Sequence, residues 1–164
     1  MPDEPQLRTA VIGDEAALAF LCANVQAIHW RERPDFFKEI DLAGLEQWFR
    51  GVLAERSATV WICHVADEAA GYVLVRKERR VENVFHHPRH WNEVDQISVD
   101  PKFQRRGIAE TLLRRVAEAA AAEGVDEVEL NTWYFNEDAQ TAFAKLGFSV
   151  KNLRFSRKAW RANP

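Results

Sequence analysis

Two periodicities alternate along the chain and predict a mixed order of strands and helices. Residues 7–11 read as a short strand, and Gly13-Asp14-Glu15 then starts a helix with Asp14 as its cap. The apolar face of that helix is Leu18, Leu21, Cys22, Val25 and Ile28, and the pattern breaks at His29 to Pro34. Asp41 caps a second helix with Leu42, Leu45, Trp48, Phe49 and Leu53 along one side, ending near Arg56-Ser57. Residues 59–65 and 72–75 alternate and are rich in β-branched and aromatic side chains, so they predict two strands joined by a hairpin loop at 67–71. The third strand extends toward Val81, before a polar, His-rich loop at 83–91. Residues 93–99 form the fourth strand. A helix from Gly107 to about Glu123 turns Ile108, Leu112, Val116 and Ala119 inward, with Gly124 as its stop. Residues 125–133 make a fifth strand with Val128 and Leu130 inward. Asn136 caps a last helix that has Glu137 and Asp138 in its first turn and ends at Gly147. One or two final strands are expected from Phe148 to about Trp160.

A strand–helix–strand passage around Gly107 requires a right-handed crossover, which makes the fourth and fifth strands parallel in an otherwise antiparallel sheet. The fold class is therefore α/β (α+β): a central mixed sheet flanked by helices, in one domain over 1–164. With 47% apolar residues the chain can fill one full-sized core. Its 22 basic and 25 acidic residues nearly balance, which argues against a bulk nucleic-acid binder. The basic run Lys151, Arg154, Arg157, Lys158 and Arg161 reads as a charge-protected edge strand. Cys22 and Cys63 have no metal or redox spacing and read as buried thiols in a reducing compartment. No apolar run reaches the roughly 18 residues of a membrane span, so a cytoplasmic protein is expected. His86, His87 and His90 match no recognised zinc set and Pro88 breaks any helix there, so no metal is expected.

Between the fourth strand and the following helix lies Val99-Asp100-Pro101-Lys102-Phe103-Gln104-Arg105-Arg106-Gly107-Ile108-Ala109. A helix start carries unpaired N–H groups and partial positive charge. Gly107 permits close backbone approach, and Gln104, Arg105 and Arg106 add donors, which suits a phosphate or pyrophosphate. The segment is neither the G-x-x-x-x-G-K-[ST] loop nor the G-x-G-x-x-G fingerprint. Gln104-Arg105-Arg106-Gly107-Ile108-Ala109 resembles the Q/R-x-x-G-x-G/A segment of the GNAT superfamily of N-acetyltransferases. Asn136-Glu137-Asp138-Ala139, then Phe143, then Leu146-Gly147-Phe148, resembles the family's N-x-x-A…Y…x-G-F segment, and the element order is similar throughout. The resemblance implies that Gln104 to Ala109 cradle the pyrophosphate of acetyl-CoA, a co-substrate. It also implies that the backbone of Ile97, Ser98 and Val99 pairs with the pantetheine arm, and that Asn136 lines that arm. Phe143 stands where the family carries a tyrosine that can protonate the leaving thiolate.

Acetyl transfer to an amine needs the neutral nucleophile, and a carboxylate can remove the ammonium proton. Glu93 and Asp95 are the catalytic candidates. Glu93, eleven residues before Gln104, has the spacing of the base in the histone-acetyltransferase branch, and Asp95, nine before, that of the polyamine branch. Both share the parity of Ile97 and Val99. Either the apolar face opens into a cleft there, or a bulge changes the facing. Trp30, Arg31, Arg33, Phe36 and Phe37, together with the His-rich loop, are candidates for acceptor contact. The expected function is acetyl-CoA-dependent transfer to a primary amine, small-molecule or peptide, by direct attack in a ternary complex. A non-catalytic coenzyme A-binding module is the alternative, and the sequence leaves oligomeric state open, a homodimer included.

Overall fold

The computed structural model describes residues 4–159, so Trp160 and Arg161 lie outside the described residues. The chain divides into two compact units, 1–131 and 132–164. The first contains β1 (Gln6–Thr9), α1 (Glu15–Glu32), α2 (Leu42–Ala54), β2 (Ala58–Val65), β3 (Glu68–Arg80), β4 (Arg89–Val99), α3 (Ile108–Ala122) and β5 (Val128–Leu130). Its strands form one sheet in the order β1-β2-β3-β4-β5. β1 to β4 are antiparallel neighbours, while β4 and β5 are parallel, as the crossover through α3 demands.

Both faces of β2 and β3 are covered, which explains their unbroken apolar runs. One core gathers Leu18, Leu21 and Cys22 of α1, Phe49 and Val52 of α2, and Val60, Ile62, Tyr72 and Leu74 of the sheet. Residues of the opposite parity, Trp61, Cys63, Val73 and Val75, are also buried. Ile108, Leu112, Leu113, Val116 and Ala120 form the buried stripe of α3, with Arg115 over the Trp61 ring. Cys22 and Cys63 are free, buried thiols, and burial pushes both upward in pKa.

Several boundaries differ from expectation for local reasons. Helix α1 does not break at His29. A His29–Gln26 side-chain contact of 3.1 Å supports another turn, and the chain leaves the helix at Arg33, the residue before Pro34. The β2–β3 connection is a two-residue turn rather than a loop over 67–71, because Ala66 and Asp67 both adopt positive φ (49° and 66°), the geometry that joins twisted strands directly. β5 is only three residues long. The second unit contains α4 (Glu137–Lys145), capped by Asn136 and closed at Gly147, whose φ is 90°. The strands expected from Phe148 onward are not formed among the described residues: 149–159 are exposed and take no strand structure.

Candidate functional site

The candidate site is built along one strand and the turn that ends it. β4 opposes β3 from Arg89 to Val99, yet Leu74 lies opposite Gln96 while Val75 lies opposite Val94. Asp95 is the extra residue, so a bulge sits on β4 at that position. This resolves the parity conflict in favour of the bulge. Gln96 and Ser98 now share a face with Tyr72 and α1: the Tyr72 hydroxyl donates to Gln96 Oε1 at 2.8 Å and Ser98 Oγ donates to Leu21 O at 2.7 Å. Val94, by contrast, joins the buried set and is 4% exposed.

The same bulge marks where β4 and β5 part. Their parallel register runs from Asn92–Val128 to Val94–Leu130 and goes no further. Beyond Asp95, the β5-side edge has no strand beside it among the described residues, and the backbone groups of Ile97 and Val99 face that side, Val99 O with Gln104 Nε2 as a donor.

At the end of β4 the chain is fixed before it turns. Asp100 N–H donates to Ala70 O at 2.9 Å, and the Asp100 carboxylate accepts from Lys102 N–H at 2.8 Å. Phe103 is 5% exposed and anchors the turn, while Lys102 and Arg106 lean over its ring at 5.2 and 5.7 Å. Gln104 Nε2 donates back to Val99 O at 3.4 Å. Arg105 (φ 60°) and Gly107 (φ 77°) take left-handed conformations and swing the chain into α3. The first helical bond is Thr111 N–H to Gly107 O, 2.9 Å, so the amides of Ile108, Ala109 and Glu110 precede the helical ladder. A Cβ built on Gly107 meets nothing within 4 Å. Open space, helix-start amides and exposed Arg105 and Arg106 together fit a phosphate-bearing group.

Glu93 and Asp95 fall into different surroundings. Asp95 is exposed and accepts from Arg76 Nε at 3.1 Å, and Arg76 also pairs with Glu55 at the end of α2. Glu93 is half-buried. Trp91 Nε1 donates to Oε2 at 3.1 Å and Asn131 Nδ2 donates to Oε1 at 2.9 Å. Burial raises the Glu93 carboxyl above the usual range. The Trp91 bond pulls against that rise, and the charges of Glu129, Glu78 and Asp95 add to it. Arg89 lies 4.5 Å over the Trp91 ring and pairs with Glu129 and Glu127. Trp91 and Arg89, expected in the loop over 83–91, lie instead in the first residues of β4, and no role beside Glu93 was expected for them or for Asn131. Trp91 was legible in principle, two residues before Glu93 on the same face, whereas Asn131 arrives only through the parallel register of β5.

Along the other flank, Trp30 and Arg31 belong to the last turns of α1. Arg33 pairs with Asp35 at 2.9 Å, and Phe36 meets Phe37 edge-on with ring centres 5.0 Å apart. In the second unit, Asn136 Oδ1 accepts from Ala139 N–H at 3.3 Å, which commits that oxygen to the α4 cap. Phe143 is half-buried with its ring edge-on to Phe148 at 6.0 Å, and Tyr134 is exposed.

Residues 23–148 match the model of the acetyltransferase (GNAT) family. The chain is 25% identical over 133 residues to N-acetyltransferase 8 of Homo sapiens, an alignment covering 77% of this chain and 52% of the relative. It thus spans about half the length of that curated protein. Its fold is similar to a tetramutant of the BH1408 protein from Bacillus halodurans, with TM-score 0.89 and 21% identity over 94% of this chain and 99% of that one. It is also similar to an aminoglycoside N-acetyltransferase, AAC(6')-Iy, solved in complex with CoA, with TM-score 0.73 and 18% identity over 95% of each chain. Among the described residues no helix is long and apolar enough to cross a membrane.

Proposed function

The chain belongs to the GNAT family of acetyltransferases, and from that premise we propose that it transfers an acetyl group from acetyl-CoA to a primary amine, with Glu93 as the general base. The observation that carries this reading is the parting of β4 from β5 at the Asp95 bulge. It leaves a free strand edge between a half-buried carboxylate on one side and an anion-ready helix start on the other.

Arg105, Arg106 and the amides at the start of α3 hold the charge of the coenzyme's phosphates. The edge groups of Ile97 and Val99 bond the arm as a neighbouring strand would. When bound, acetyl-CoA supplies the activated thioester that the amine attacks directly in a ternary complex. An acceptor amine is mostly protonated at neutral pH, and Glu93 takes its proton. Its raised pKa matches that task better than a carboxylate already paired with Arg76, so Glu93 is favoured over Asp95. The acceptor is a small-molecule or peptide amine, a class compatible with a shared fold that includes an aminoglycoside acetyltransferase. The reading takes residues 1–164 as one GNAT domain.

Phe143 favours a second reading, a module that binds coenzyme A without turnover, because its ring has no proton to give. Thiol release from acetyl-CoA across a panel of primary amines, run beside ligand-induced melting shifts, separates the two. A melting shift without thiol release by any amine supports the module, and release above the amine-free rate supports the enzyme.

A further inference from the structure

Glu93 is held by one donor on each carboxylate oxygen, and the two donors come from different strand segments. Trp91 reaches Oε2 from two residues earlier on β4, at 3.1 Å, and Asn131 reaches Oε1 from just beyond β5, at 2.9 Å. A carboxylate only accepts, so the Asn131 amide must present its nitrogen, and the indole has nothing to offer but its N–H. Two bonds to two oxygens fix the plane of the carboxylate, and lone pairs remain on both oxygens for a proton. The indole is itself held, with Arg89 4.5 Å over its ring and Arg80 at 5.7 Å. Arg89 also binds Glu129, the residue opposite Glu93 in the β4–β5 register, and so holds a competing carboxylate on a cation.

We propose that Trp91 and Asn131 are positioning residues that orient the Glu93 carboxylate toward the acceptor amine, with Arg89 bracing the indole. This rests on the reading of Glu93 as the base. The charged groups around that carboxylate are Glu78 and Arg76 on β3, Asp95 and Arg89 on β4, and Glu129 on β5, and the substitutions below alter none of them.

Trp91→Phe keeps a ring under Arg89 and removes only the donor, and Asn131→Ala removes the other. Each variant is expected to lower kcat by about 10-fold with little change in KM for acetyl-CoA, short of the about 10²-fold loss for Glu93→Gln. In Trp91→Phe the acid limb of the rate profile should also move to higher pH, because a bond to the ionised form is gone. Carbon-detected NMR of the Glu93 carboxyl follows the same titration in the protein without turnover. An upward move in the NMR titration together with the rate loss supports the proposal. If Glu93→Gln is crippled while both positioning variants keep parent kcat and an unmoved titration, the proposal is overturned and the base assignment stands. If Glu93→Gln itself keeps full activity, the base assignment falls, and the proposal falls with it even where the titration moves.

Discussion

Substitution at Gly107 separates backbone strain from ligand loss. Gly107 has φ 77° and ψ 9°, and a Cβ built there meets no atom within 4 Å. Any L side chain should therefore cost only the left-handed conformation, about 1–2 kcal/mol, offset by about 0.4–1 kcal/mol from a less flexible unfolded chain. At about 2.1 cal/mol/K of unfolding entropy per residue, a chain of 164 residues loses roughly 3 °C of Tm per kcal/mol. Gly107→Ala and Gly107→Glu should thus both melt only about 0–5 °C below the parent without ligand. Acetyl-CoA at 100 times its Kd should stabilise the parent by about 2.7 kcal/mol, or about 8 °C. Gly107→Glu places a carboxylate where the α3 amides and Arg105–Arg106 meet, so it competes for the same donors and should abolish the shift. Gly107→Ala should keep part of it. Differential scanning fluorimetry with and without acetyl-CoA reads all six melts. A parent-sized shift in Gly107→Glu, or none in the parent, would refute the assignment of this turn to the coenzyme's phosphates.

Four further outcomes follow from named contacts. Glu93→Gln should lower kcat by about 10²-fold, with the loss shrinking at high pH where the acceptor is already neutral, and Asp95→Asn should lose far less. Because the folded Glu93 pKa is raised, the stability it contributes is full below its unfolded pKa and lost as pH rises through its folded pKa. Glu93→Gln should therefore gain Tm relative to the parent at pH 7–8 compared with pH 4, and an equal difference at both pH values would contradict that. Tyr72→Phe removes the 2.8 Å donor to Gln96 inside the core and should cost about 1 kcal/mol, a Tm loss of roughly 3 °C; an unchanged melt would mean the network stabilises nothing. Phe143→Tyr, at a half-buried ring, should leave folding intact and raise the transfer rate by about 2- to 10-fold, below the usual range for acid catalysis. A lower Tm without a rate gain would put that ring in the packing instead.

The sequence exposed most of the frame because each element carries its own punctuation. Asp41 and Asn136 bond the amides of Gly44 and Ala139 as caps should, and Gly107, Gly124 and Gly147 all adopt the positive φ that made them visible as boundaries. The parity clash at Glu93 and Asp95 announced an irregularity in β4 before its geometry was known. What stayed hidden depends on distant partners. Whether residues 148–159 become strand depends on having a neighbour to pair with, and amphipathic spacing cannot report that. Ala66 gives little warning of a left-handed turn residue, so the tight β2–β3 turn looked like a longer loop. Asn131 reaches Glu93 across 38 positions of chain, through a crossover whose register no local pattern encodes.

The bulge at Asp95 also sets which kinds of genetic change this stretch can absorb. On either side of it β4 alternates normally, but the two halves are out of phase by one residue. Substitutions at Asp95 alter a single exposed side chain. Deleting the codon would make Val94 and Gln96 consecutive opposite Val75 and Leu74, so the ladder would close into regular alternation with Glu93 and Ile97 still on opposite faces. What the deletion would remove is the bulge itself, which sits where the pairing of β4 with β5 ends and the strand edge leading to Gly107 begins. Within this strand the extra residue governs where the chain bends and parts from its neighbour, and leaves the facing of every other side chain as it is.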